Sequence, residues 1–94
     1  MTRRRTYWIA DVLISPRVEE KLLVKHGVRR DEVEDAVRFG AYRDARWHTH
    51  ERHGERLIVR GTTRGDVELM TVLVPVDEAD GIWRCKTSRR TMKA

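Results

Sequence analysis

The residues best suited to chemistry are basic. The stretch Glu55 to Thr63 alternates as a strand would, and a period of two puts Arg56, Ile58 and Arg60 on one face. Over Ile82 to Thr87 the same period groups Arg84, Lys86 and Ser88, opposite Trp83 and Cys85. A sheet face lined this way suits phosphate. A planar guanidinium grips two phosphate oxygens at once, and fixed positive charge stabilises a phosphorane as it develops. The competing reading is a solvated face whose cations pair with carboxylates. Arg64, Arg89 and Arg90 extend the basic set.

Histidine supplies the proton-transfer chemistry. His48, His50 and His53 form His-x-His-x-x-His. On a strand His48 and His50 share a face, and two imidazoles so placed can ligate zinc. Arg52 follows instead of a further ligand and no second His or Cys group appears, so no metal is expected. Imidazole titrates near neutral pH and can take a proton from a hydroxyl. If His53-Gly54 is a two-residue turn, His50 pairs with Leu57 and His48 with Val59, away from Arg56. A one-residue slip brings them to the Arg56 side. Both registers stay open.

Charge favours a polyanionic partner. The 94 residues carry 20 Lys and Arg against 15 Asp and Glu, a net +5. The excess is uneven: 67–80 holds only carboxylates, while 81–94 holds only bases. Such a domain has a raised prior of binding nucleic acid. The length suits one domain, 1–94, with 1–6 (Arg3 to Arg5 included) a flexible basic arm. Cys85 is the only cysteine, so no internal disulfide forms. The apolar run Tyr7 to Ile14 is too short for a signal peptide and holds Asp11, and no run reaches the roughly 20 apolar residues of a membrane span. A cytoplasmic protein is expected. Without a glycine-rich phosphate loop or paired Cys motif, no cofactor is expected.

Local signals give the elements that must hold these side chains. Tyr7 to Ile14 reads as a strand. Ser15-Pro16 is a helix start, and Gly27 closes that helix after Val18, Leu22 and Leu23 form its stripe. A second helix runs from about Arg30 to Phe39 and ends at Gly40. Strands follow over about Tyr42 to Glu51, Glu55 to Thr63, Val67 to Val76 and Ile82 to Thr87, with turns at His53-Gly54, Arg64-Gly65-Asp66 and Asp77 to Gly81. Val67 to Val76 is apolar on both faces. It belongs in the middle of a sheet or faces a partner, a second copy included, and Pro75 marks its end. Trp8, Trp47 and Trp83 suit core or sheet-edge packing. The order β-α-α-β-β-β-β indicates an α+β domain, two helices packed on one face of a mostly antiparallel sheet.

Several boxes resemble a known family. Ile14-Ser15-Pro16, Lys25-His26-Gly27-Val28 and Asp31-Glu32-Val33 resemble the first half of BrnT-type toxins. Glu55-Arg56 leading to Gly61, an apolar strand, and then Ser88-Arg89-Arg90 resembles the second half. The resemblance spans about residues 14–91. Ser15 stands where the family has Asp, and Val18 and Leu22 stand where it has Lys and Asn.

The resemblance implies a RelE-like fold, ribonuclease activity on RNA and a cognate antitoxin protein as partner. A metal-independent cleavage by the RNA's own 2′-hydroxyl is then expected. His26 or His50 would move the proton, and Arg60 and Arg89 would stabilise the transition state. Lys25, Arg56, Arg64, Arg84, Lys86 and Arg90 would bind RNA. For Lys25 and His26, compensation of the helix dipole is an equally simple role. A binding domain without catalysis, or a protein-interaction domain docking through Leu69 to Val74, is the alternative.

Overall fold

A computed structural model describes residues 7–39, 43–52 and 54–91. The expected arm at 1–6, the helix end at Gly40 and His53 of the turn lie outside these residues. The elements run β1 (Asp11–Leu13), α1 (Pro16–His26), α2 (Arg30–Glu34), a π-helical turn (Asp35–Phe39), β2 (Arg43–His50), β3 (Gly54–Thr62), β4 (Glu68–Asp77) and β5 (Ile82–Arg90). The chain is α+β, and its five strands form one mixed sheet in the order β1-β5-β4-β3-β2. β1 runs parallel to β5, and the other pairs are antiparallel.

The start of α1 follows its local chemistry. The Ser15 hydroxyl accepts the Val18 amide at 3.2 Å, and Pro16 occupies the first turn. At the other end Gly27 adopts φ 62°, a left-handed cap whose amide reaches the Leu22 and Leu23 carbonyls. The first strand is shorter than its composition suggests. Trp8 to Ala10 is anchored on the turn before β5: the Trp8 indole donates to the Ala79 carbonyl, the Ala10 amide donates to Gly81, and the Trp83 indole donates to the Trp8 carbonyl. Ladder pairing begins only at Asp11.

The second helix also departs from expectation. It is α-helical for five residues and then widens into the π turn. That turn seats the Ala36 carbonyl directly on Gly61 of β3. Val28, Val33, Ala36 and Val37 are fully buried there with Leu57, Val59 and Leu69 of the sheet. The two helices do not form the expected single layer on one face. α1 contacts the sheet mainly at β5 and buries only Leu22, leaving Leu23 and Val24 exposed. Its apolar stripe is too narrow to cover a sheet face.

Register assigns the faces. Trp47, Leu57, Leu73 and Cys85 form one row of the buried face, and Ala45, Val59, Thr71 and Ser88 form the next. The tryptophans close over it: the Trp47 and Trp83 rings lie 5.6 Å apart. On the opposite face Arg46, Ile58, Val72 and Thr87 form a row, then Asp44, Arg60, Met70 and Arg89. β4 is the central strand, and Leu69 and Leu73 are wholly buried. Within the run Leu69 to Val74, Leu69, Thr71 and Leu73 are thus core, while Met70 and Val74 on the other face stay partly exposed.

Two irregularities offset each other between β4 and β5. The register shifts between Val72 and Leu73, where Lys86 is an extra residue on β5, and again between Pro75 and Asp77, where Val76 is extra on β4. Pro75 is thus accommodated beside a bulge and does not end its strand. The Lys86 bulge overturns the expected grouping of Arg84, Lys86 and Ser88. Ser88 falls on the buried face, fully enclosed, and its hydroxyl lies 2.9 Å from that of Thr71.

Candidate nucleic-acid interface

A groove of about 280 Å³ separates α1 from the sheet, lined by Val18, Lys21, Leu22, Lys25, His26, Arg56, Lys86 and Thr87. A second hollow of about 380 Å³ shares Val18, Lys21, Arg56 and Lys86 and adds Val74, Arg84 and Cys85. No carboxylate lines either one. Lys21 and Lys25 are one helical turn apart and so project from the same side of α1. Lys86 stands at the bulge. Arg56 enters from the start of β3, where it lies across from His48.

The electrostatics divide the cations into two sets. Arg29, Arg38, Arg46, Arg60, Arg64 and Arg90 pair with Asp31, Glu34, Asp44, Glu68, Asp35 and Glu32. Among the described residues Arg17, Lys21, Lys25, Arg30, Arg52, Arg56, Arg84, Lys86 and Arg89 form no ion pair. Five of those nine line the two hollows. Arg56 also buries its Nε without a hydrogen-bond partner. A buried donor left unmade is unfavourable by roughly 1–3 kcal/mol, more when charged. An anion in the groove would relieve that penalty.

The structure brings together Lys25, His26, Arg56 and Lys86 in one groove, with Arg84 adjoining. It places Arg60 and Arg89 on the same sheet face as Arg56, both across from Met70. They lie two rows farther along, about 13 Å by strand rise. Arg64 stands at the β3–β4 turn, where its backbone amide and its Nε both donate to Asp35, at 2.7 and 2.9 Å. Arg90 falls on the buried side of β5, its guanidinium 3.7 Å from Glu32.

The histidine register is settled for the described residues. His48 pairs with Arg56 and His50 with Gly54, so both imidazoles lie on the Arg56 side. Gly54 pairs with His50 as the first residue of β3, so it is a strand residue and not half of a two-residue turn. His50 accepts the Arg52 amide at Nδ1, 3.1 Å away, and does not line the groove. Among the described residues no group of three His, Cys, Asp or Glu is placed to hold a metal ion.

Sequence reasoning missed Lys21, which lines both hollows. Its signal was the four-residue spacing to Lys25.

No protein-family model matches the chain, and no curated protein matches it. Among the described residues no helix is long and apolar enough to cross a membrane.

Proposed function

We propose that this chain is a metal-independent endoribonuclease with a RelE-like fold, acting in the cytoplasm as the toxin of a toxin–antitoxin pair. The observation that carries the nuclease reading is the carboxylate-free groove in which His26 meets Lys25, Arg56 and Lys86. The toxin assignment and the antitoxin partner rest on the residue boxes at Lys25 to Val28 and Ser88 to Arg90.

In this reaction the RNA's 2′-hydroxyl attacks the adjacent phosphorus and the bond to the 5′-oxygen breaks. His26 takes the hydroxyl proton, and solvent water gives one to the leaving 5′-oxygen. The products are a 2′,3′-cyclic phosphate and a 5′-hydroxyl. Arg56 and Lys86 hold the non-bridging oxygens, where negative charge grows in the transition state. Lys25 and Lys21 supply field from the helix side.

The test is cleavage of a labelled single-stranded RNA by the purified chain in the presence of a chelator. His26→Ala should lower kcat by about 100-fold or more while RNA affinity stays within about threefold. Arg56→Ala should weaken both. Salt-dependent binding with no cleavage by the unaltered chain would leave a nucleic-acid-binding domain of the same fold. Binding that ignores salt would remove the polyanion reading altogether.

A further inference from the structure

The open sheet face carries a second cationic position that the groove does not use. Arg60 and Arg89 flank Met70 in one row, their backbones about 10 Å apart across two strand spacings. Between this row and the Arg56 row lie Ile58 and Val72, directly paired, with Thr87 beyond them. Ile58 and Met70 are partly exposed, Val72 between them is buried, and Asp44 stands beside Arg60. The face therefore reads as charge, apolar strip, charge.

We propose that Arg89, together with Arg60, is a second phosphate position, and that the substrate is single-stranded RNA long enough to reach it from the groove. This rests on the nuclease reading above and adds a minimum length and a strandedness. An apolar strip between two phosphate positions suits a chain whose bases are free to lie against it. In a duplex the bases are stacked inside and turned away. The two cations differ in readiness. Arg60 is shared with Glu68, 3.3 Å away, and Glu68 also accepts the Thr91 hydroxyl. Arg89 is exposed and forms no ion pair among the described residues. A phosphate arriving here meets Arg89 first and competes with Glu68 for Arg60.

Binding of labelled oligouridylates two to eight nucleotides long, measured across a salt series, tests this. Affinity should rise stepwise at the length that spans both positions. Arg89→Gln should abolish that step, lower octamer affinity by about tenfold and flatten its salt slope by about one, while leaving the dinucleotide unchanged. Arg56→Ala should weaken every length. Glu68→Gln, which keeps an acceptor for Thr91, should tighten the octamer, a gain that misfolding does not produce. An octamer indifferent to Arg89→Gln would overturn the second position while the nuclease reading stood. Equal binding of an eight-base-pair RNA duplex would overturn the strandedness, and the same step with polyglutamate would overturn RNA as the ligand. Indifference of all lengths to Arg56→Ala would remove the groove reading itself.

Discussion

The β-carbon that Gly61 lacks would lie 2.1 Å from the carbonyl oxygen of Ala36. The neighbour is backbone, so no side chain can swing away to make room. The π turn sits at this height above β3 only because the strand offers a bare backbone there. Gly61→Ala should therefore lower stability by about 3 kcal/mol through overpacking. A urea midpoint equal to that of the unaltered chain would show that the π turn moves freely.

Thr71 and Ser88 form a hydroxyl pair sealed in the buried face. Ser88→Ala strands one hydroxyl and should destabilise by about 1–3 kcal/mol. Thr71→Val combined with Ser88→Ala should be less damaging than the two single effects added, because it removes both polar groups. RNA affinity should not change, since Ser88 faces away from the groove. Thermal melts read against a binding assay separate these effects.

Burial pushes the Cys85 thiol from an ordinary 9.0 up to about 12. The unfolded chain loses this proton above pH 9 while the folded chain keeps it. The contribution of Cys85 to stability is thus intact below pH 9 and falls by about 1.4 kcal/mol per unit as pH rises toward 12. The stability gap between the unaltered chain and Cys85→Ala should shift by that slope in denaturant titrations from pH 9 to 11. At pH 8 the native thiol should resist alkylation until the chain is unfolded.

Asp35 is mostly buried at the side chain and accepts two donors from Arg64, whose own side chain is largely exposed. Asp35→Ala leaves a backbone amide unpaired and should destabilise by about 1–3 kcal/mol. Arg64→Ala removes only the exposed arm and should fall below about 1 kcal/mol. If Arg64 serves the fold in this way, RNA affinity will change less than twofold in Arg64→Ala. A larger drop would mark it as a phosphate contact.

Much of this was legible from local chemistry. Ser15, Pro16 and Gly27 fix the ends of α1 through their own backbone preferences. The doubly apolar run of β4 marked the central strand, and alternation put Arg56 and Arg60 on one face. What escaped depends on neighbours distant in sequence. The Lys86 bulge exists only against β4, so alternation along β5 alone misplaces Ser88. The π turn answers to Gly61, some 25 residues away. The hairpin register between His48 and Arg56 follows from a loop whose length the residues did not dictate. The groove itself is made by α1 lying against β5, and nothing within α1 announces that placement beyond the pairing of Lys21 with Lys25.

The bulge at Lys86 also changes the parity of the strand. Before it the odd residues Trp83 and Cys85 face the core; after it the even residue Ser88 does, with Arg90 on the same side. Deleting Lys86 would leave every other β5 residue on the side it already occupies, because the ladder is in step on both flanks of the extra residue. The groove's strand-borne lysine can thus be removed by shortening the chain, with no substitute side chain left behind. The shortened protein should melt within a few degrees of its parent yet hold RNA less tightly. Drawing Lys86 into regular pairing without deleting a residue would do the reverse, turning Ser88 outward and driving Arg89 into the apolar interior.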